Sequence, residues 1–193
     1  MEEKYKEPFT YTLAFWLLRF WLATRAIFTG LVKFQGMKDV VKPEYADLDA
    51  ETLEALGPEA YNKVAGLGLD MYQALPAKGP MSVEGYMASP LMPSFMVGPY
   101  AAVLGYALIG LGITLLLGIC TRLSLFFMGL LYISLTYGFI ILEKSLGEAS
   151  AAGAAYLGVH MVLIAVALVL AKYNRFEVFS DRKIGCFLWD CRK

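Results

Sequence analysis

Residues 11–34 read YTLAFWLLRFWLATRAIFTGLVKF. As a helix rising 1.5 Å per residue, this run covers about 36 Å, enough to cross a bilayer. Two charges, Arg19 and Arg25, lie inside it. Each costs roughly 2.5–3.5 kcal/mol at mid-membrane unless it is paired, hydrated or turned into the protein. At about 100° per residue, Arg19, Ala26, Gly30 and Lys33 fall on one stripe, whose small residues and charges suit contact with other helices better than lipid. Arg25 lies about 120° from that stripe and nearer the far leaflet. Two roles are open to the arginines: structural snorkelling or salt bridges, and an interior polar site.

Working outward, three further apolar runs are long enough to cross: residues 95–120, 123–142 and 151–170. The composition agrees, with 58% of residues hydrophobic and only 18% charged, against about 25% in soluble domains. A formal net charge of zero leaves no basic face for nucleic acid. The expected fold is an all-α integral membrane protein, a single domain of four transmembrane helices. Glu2, Glu3, Lys4, Lys6 and Glu7 make a mixed-charge start, and no small-residue cleavage site follows the first run, so that span is expected to stay in the protein.

An even number of spans puts both termini on one side. Arg122 in the tight turn after span two, with Lys172, Arg175, Arg182, Lys183, Arg192 and Lys193 after span four, makes that side cytoplasmic by the positive-inside bias. The expected location is a bacterial or archaeal cytoplasmic (inner) membrane. The connection 36–92 carries Asp39, Glu44, Asp47, Asp49, Glu51, Glu54, Glu59, Asp70 and Glu84 and belongs outside. It is too long for a passive loop. Asp49 is placed to cap a helix through Leu56, and Pro58 to open a second through about Tyr72. Helices this short are marginal alone, so they are expected to rest on the membrane, the bundle or a partner protein. From Pro76 to Pro99, prolines, methionines and glycines suggest either an irregular cover over the outer mouth or an extended linker. The tail 173–193, with Phe176, Phe179, Phe187 and Trp189, reads as a cytoplasmic interfacial segment. Cys186 and Cys191 there have neither thioredoxin nor zinc spacing and read as free thiols, while Cys120 reads as a small apolar residue; no metal is expected.

Depth groups the intramembrane polar residues. The single histidine, His160, falls near the midplane of span four, and Gly153, Tyr156 and His160 share a face. Arg25, Tyr106, Tyr137 and Tyr156 fall in the outer half, so Arg25, Tyr106, Tyr137, Tyr156 and His160 converge if their faces meet. Tyrosines at such positions also serve as interfacial belts, and a lone histidine often only bonds across to a neighbouring helix. The functional alternative is a pocket for a ring with two carbonyl oxygens, such as a membrane quinone, with His and Tyr as hydrogen-bond donors. Arg19, Lys33 and Arg122 are read as structural polar residues.

A resemblance adds to this reading. LLRFWLATRAIFTGLVKF, with an early Arg19 followed by small residues and by Gly30 and Lys33, resembles the first span of the DoxX/DoxD-like family of small four-span membrane proteins. GLGITLLLGICTRLSLFFMGLLY, with Gly118, Thr121 and Arg122, is similar to that family's second-to-third junction. Some members resemble the membrane subunit of thiosulfate:quinone oxidoreductase, and others accompany oxidoreductases in assemblies. The resemblance implies a quinone-associated subunit of a larger respiratory or oxidoreductase complex, meeting membrane lipid and reaching other subunits through 36–92. The alternative expectation is a non-catalytic anchoring or assembly subunit.

Overall fold

The structure, a computed structural model, describes residues 9–142 and 147–174. Four helices are long and apolar enough to cross a membrane: α1 (Phe9–Val32), α4 (Ser94–Leu117), α5 (Thr121–Ile141) and α6 (Glu148–Leu170). Their bounds lie within about three residues of the sequence expectation. α1 packs chiefly on α4 and α5 on α6, with α1–α6 and α4–α5 contacts closing a four-membered ring. Cross-helix pairs run in opposite chain directions, as Gly30 beside Ile109 and Ala23 beside Gly112 show for α1 and α4. The core holds Phe15, Leu22, Leu108, Leu115, Leu125, Met128 and Ile164. The tail beyond residue 174, with Cys186 and Cys191, lies outside the described residues.

Glycines set the tightness of the α1–α4 seam. A Cβ on Gly30 would meet Ile109 at 2.5 Å, and one on Gly112 would meet Ile27 at 2.6 Å. Such close backbone approach is what small residues provide between membrane helices, where dispersion contacts replace the hydrophobic drive. The seam is offset: the last turn of α1 meets Gly105 and Ile109, so Ser94–Leu104 runs past α1 by about 16 Å. The connection 36–92, the expected outer segment, fills that space.

The segment does not form the expected second helix. Residues Gln35–Val41 (β1) and Tyr61–Leu67 (β2) make an antiparallel hairpin pairing Gln35 with Leu67 and Val41 with Tyr61. The expected all-α character is corrected here. Gly66 and Gly68 would each cost a helix over 58–72 about 1 kcal/mol, while the hairpin satisfies the backbone at its base. Gly68 N–H donates to the Phe34 carbonyl (3.1 Å) and Gln73 N–H to that of Lys33 (2.6 Å). The other expected helix is present as α2 (Ala50–Leu56), with the Asp49 side chain accepting from Thr52 N–H at 3.0 Å. Pro58 opens only one 3-10 turn, Gly57–Ala60.

Past the hairpin the chain returns onto the bundle. Ala74 enters the main core, and α3 (Val83–Met87) places Tyr86 against Val97 and Leu142, near the start of α4 and the end of α5. Tyr72 makes the most specific contact. Its hydroxyl donates to the Ala101 carbonyl (2.6 Å) and accepts from Gly105 N–H (3.0 Å), the two groups that pair with each other in an uninterrupted helix. Gly105 admits the ring, since a Cβ there would come within 2.6 Å of it.

Candidate functional site

Arg19 is fully enclosed, with 2% of its surface exposed. The Nε donates to the Leu115 carbonyl (2.6 Å), Nη2 to Leu116 (3.0 Å) and Nη1 to Asn174 Oδ1 (3.5 Å). Leu115 and Leu116 lie in the last turn of α4, where the negative end of the helix dipole favours a cation, and the Leu115 carbonyl also accepts from Gly118 N–H (3.2 Å). Asn174 in turn donates to Thr121 Oγ1 (3.2 Å) at the start of α5, and Thr12 donates to the Tyr173 carbonyl (3.3 Å). Arg19 therefore ties three helix ends together. Lys33 is half-buried beside Gly105, and Arg122 is exposed in the first turn of α5.

Deeper in the bundle a second polar group forms among α1, α5 and α6. His160 is 3% exposed. Its Nδ1 lies 2.9 Å from the carbonyl oxygen of Tyr156 one turn away. That oxygen can only accept, so Nδ1 carries the hydrogen, and in the neutral ring Nε2 presents a lone pair. His160 Nε2 and Trp16 Nε1 are the buried side-chain polar atoms without a hydrogen-bond partner among the described residues. Buried polar groups are nearly always paired, so an unmatched one calls for an explanation.

Aromatic rings wall the imidazole. Tyr132 of α5, itself buried, stacks on it with centroids 5.4 Å apart and planes inclined by 22°, and the Tyr156 ring lies 4.6 Å away. The Arg25 guanidinium lies over the Tyr156 ring, 5.3 Å from its centroid, a cation–π contact. No family model, curated protein or solved structure matches the chain. The site is therefore read from its own chemistry.

Arg25 meets no carboxylate among the described residues. The two ion pairs there, Lys38–Asp70 and Lys42–Glu44, both at 3.9 Å, belong to the outer segment. Within the four helices the only acidic residue is Glu148, the first residue of α6. Access to the group is from the α1–α6 side, where Tyr156 is half exposed and Arg25 partly so, while Tyr132 closes the α5 side.

Of the five residues expected to converge, the structure brings together Arg25, Tyr156 and His160. Tyr106 stays with the outer segment, its ring 5.1 Å from both Phe34 and Tyr72 and half exposed. Tyr137 is likewise half exposed, its hydroxyl donating to the Leu91 carbonyl at 3.4 Å. Tyr132 takes the place they leave. Depth was the signal for it: Tyr132 lies about 16 Å from the start of α5 and His160 about 15 Å from the end of α6. The group so formed is a buried, unmatched imidazole nitrogen with the Tyr132 and Tyr156 rings beside it and the Arg25 cation over Tyr156.

Proposed function

We propose that the chain is a multi-pass subunit of a respiratory or oxidoreductase complex in a bacterial or archaeal inner membrane, with both termini cytoplasmic. In this reading it binds a quinone head group between α1, α5 and α6. The observation that carries it is His160 Nε2, a buried and unmatched proton-exchanging atom held between two tyrosines with an arginine at the edge. The quinone would supply the electron chemistry. Arg25, Tyr132, Tyr156 and His160 would bind and orient it and hold a proton at Nε2. The likeness of the first span and the second-to-third junction to the DoxX/DoxD-like family supports the same class. The test is to purify the protein in mild detergent and extract quinone. Arg25→Leu and His160→Leu should deplete it while the bundle still assembles, and unchanged quinone content in assembled protein would reject the site.

The hairpin favours the second reading, an anchoring subunit. An isolated two-stranded hairpin is marginal in water, and here Val40 and Val64 are exposed on one face and Met37 on the other. Burial against another subunit would stabilise it. Val40→Lys with Val64→Lys should strip co-purifying proteins from the chain while all four spans still insert, and an unchanged native-gel pattern would remove this reading.

A further inference from the structure

The tautomer of His160 decides what kind of oxygen the site receives. A quinone carbonyl is an acceptor, and so is the Nε2 lone pair, since the single hydrogen of the neutral ring is held at Nδ1 by the Tyr156 carbonyl. Facing each other they make no hydrogen bond. A ring hydroxyl donates, and Nε2 is unmatched and buried where such a donor would be welcome. The charge nearby points the same way. Arg25 brings a positive charge over the face of Tyr156 with no carboxylate on it among the described residues, so negative charge on a ligand oxygen is favoured there rather than opposed.

Resting on the quinone-site reading above, we infer that this site is built for a ring bearing an acidic hydroxyl, the reduced (quinol-type) or hydroxylated form, and not for a plain dicarbonyl ring. The hydroxyl donates to Nε2. When its O–H bond breaks, the proton forms an N–H bond at Nε2, the electron pair stays on oxygen, and Arg25 stabilises the resulting oxyanion. No electron leaves the ring in this step. His160 is then a proton acceptor, and Arg25 acts on the charge that appears.

The experiment compares two probes of nearly the same shape on the purified full-length chain in detergent: a hydroxynaphthoquinone and its methyl ether, which keeps both carbonyls and loses the O–H. The hydroxy compound should bind at least about tenfold more tightly. Arg25→Gln and His160→Phe should each erase that preference while leaving thermal unfolding close to that of the unaltered protein. If a variant fails to assemble, the preference of the unaltered protein still decides. Equal binding of the two probes overturns the hydroxyl inference but leaves a quinone site standing. Binding of neither overturns both.

Discussion

Arg19 and Arg25 enter the membrane on the same helix, six residues apart, and meet opposite surroundings. Around Arg19 the guanidinium donates to the Leu115 and Leu116 carbonyls in the last turn of α4 and to the Asn174 side chain. Around Arg25 the structure offers the face of a tyrosine and, one turn inward, a histidine nitrogen with no partner. A charge inside a bundle thus has two distinct uses. Satisfied by the protein's own backbone it fixes architecture, and left partly unanswered it reserves a place for something else.

The sharpest way to break this contrast is to remove each charge in turn. Arg19→Leu takes a donor from the Leu115 and Leu116 carbonyls and from the Asn174 side chain, and each buried acceptor left unmatched costs about 1–3 kcal/mol. The expected result is loss of the assembled bundle, read as a collapse of thermal unfolding in detergent. Arg25→Leu should not destabilise at all, because it removes a charge that costs roughly 2.5–3.5 kcal/mol at mid-membrane. A large destabilisation by Arg25→Leu would make both arginines structural.

The seam that keeps Arg19 in reach of α4 gives the next effect. Gly112→Val would push against Ile27 and the Ala23 carbonyl, and overpacking of this kind costs about 1–3 kcal/mol. Gly110→Val, which faces open space, should be close to neutral in the same unfolding assay. Smaller again is Tyr72→Phe, which deletes a hydroxyl serving two backbone groups at once and should cost about 1 kcal/mol. The smallest effect is local and remote from both arginines. Hydrogen bonds from the Thr52 side chain and then its backbone N–H hold the Asp49 carboxyl below its ordinary value of 3.8. A depressed folded value means the cap is at full strength above the unfolded value and is lost as pH falls through the folded one. Amide protection factors in α2, with the intrinsic pH dependence of exchange divided out, should therefore fall below about pH 4 and be unchanged at Arg19 and His160.

The four crossings were legible because each is a long apolar window, and averaging over some twenty residues hides local error. The Asp49 cap was legible because capping depends on a side chain three residues from its partner. The hairpin was not. Tyr61, Val64, Leu69 and Tyr72 recur at helical spacing, yet pairing with Gln35–Val41 depends on where the chain leaves and rejoins the bundle, which periodicity does not encode. Gly66 and Gly68 were the available warning. In the candidate site, depth pointed to one region for Arg25, Tyr156 and His160, which lie near one another in the structure, but facing is fixed by helix rotation. Tyr106 and Tyr137 turn outward, while Tyr132 turns in to stack on His160.

The hydroxyl of Tyr72 has a consequence for how the protein is made. Synthesis delivers Tyr72 before span two, so the template that shapes the outer half of that span already exists when the span enters the bilayer. Hydrocarbon leaves no backbone group unsatisfied, and Ala101 and Gly105 have two ways to comply: pairing with each other, or pairing through the tyrosine. The second ties residues 36–92 to α4, which is helical from Ser94 to Leu117. Order of emergence from the ribosome thereby makes the partner of this stretch of α4 available before the stretch itself.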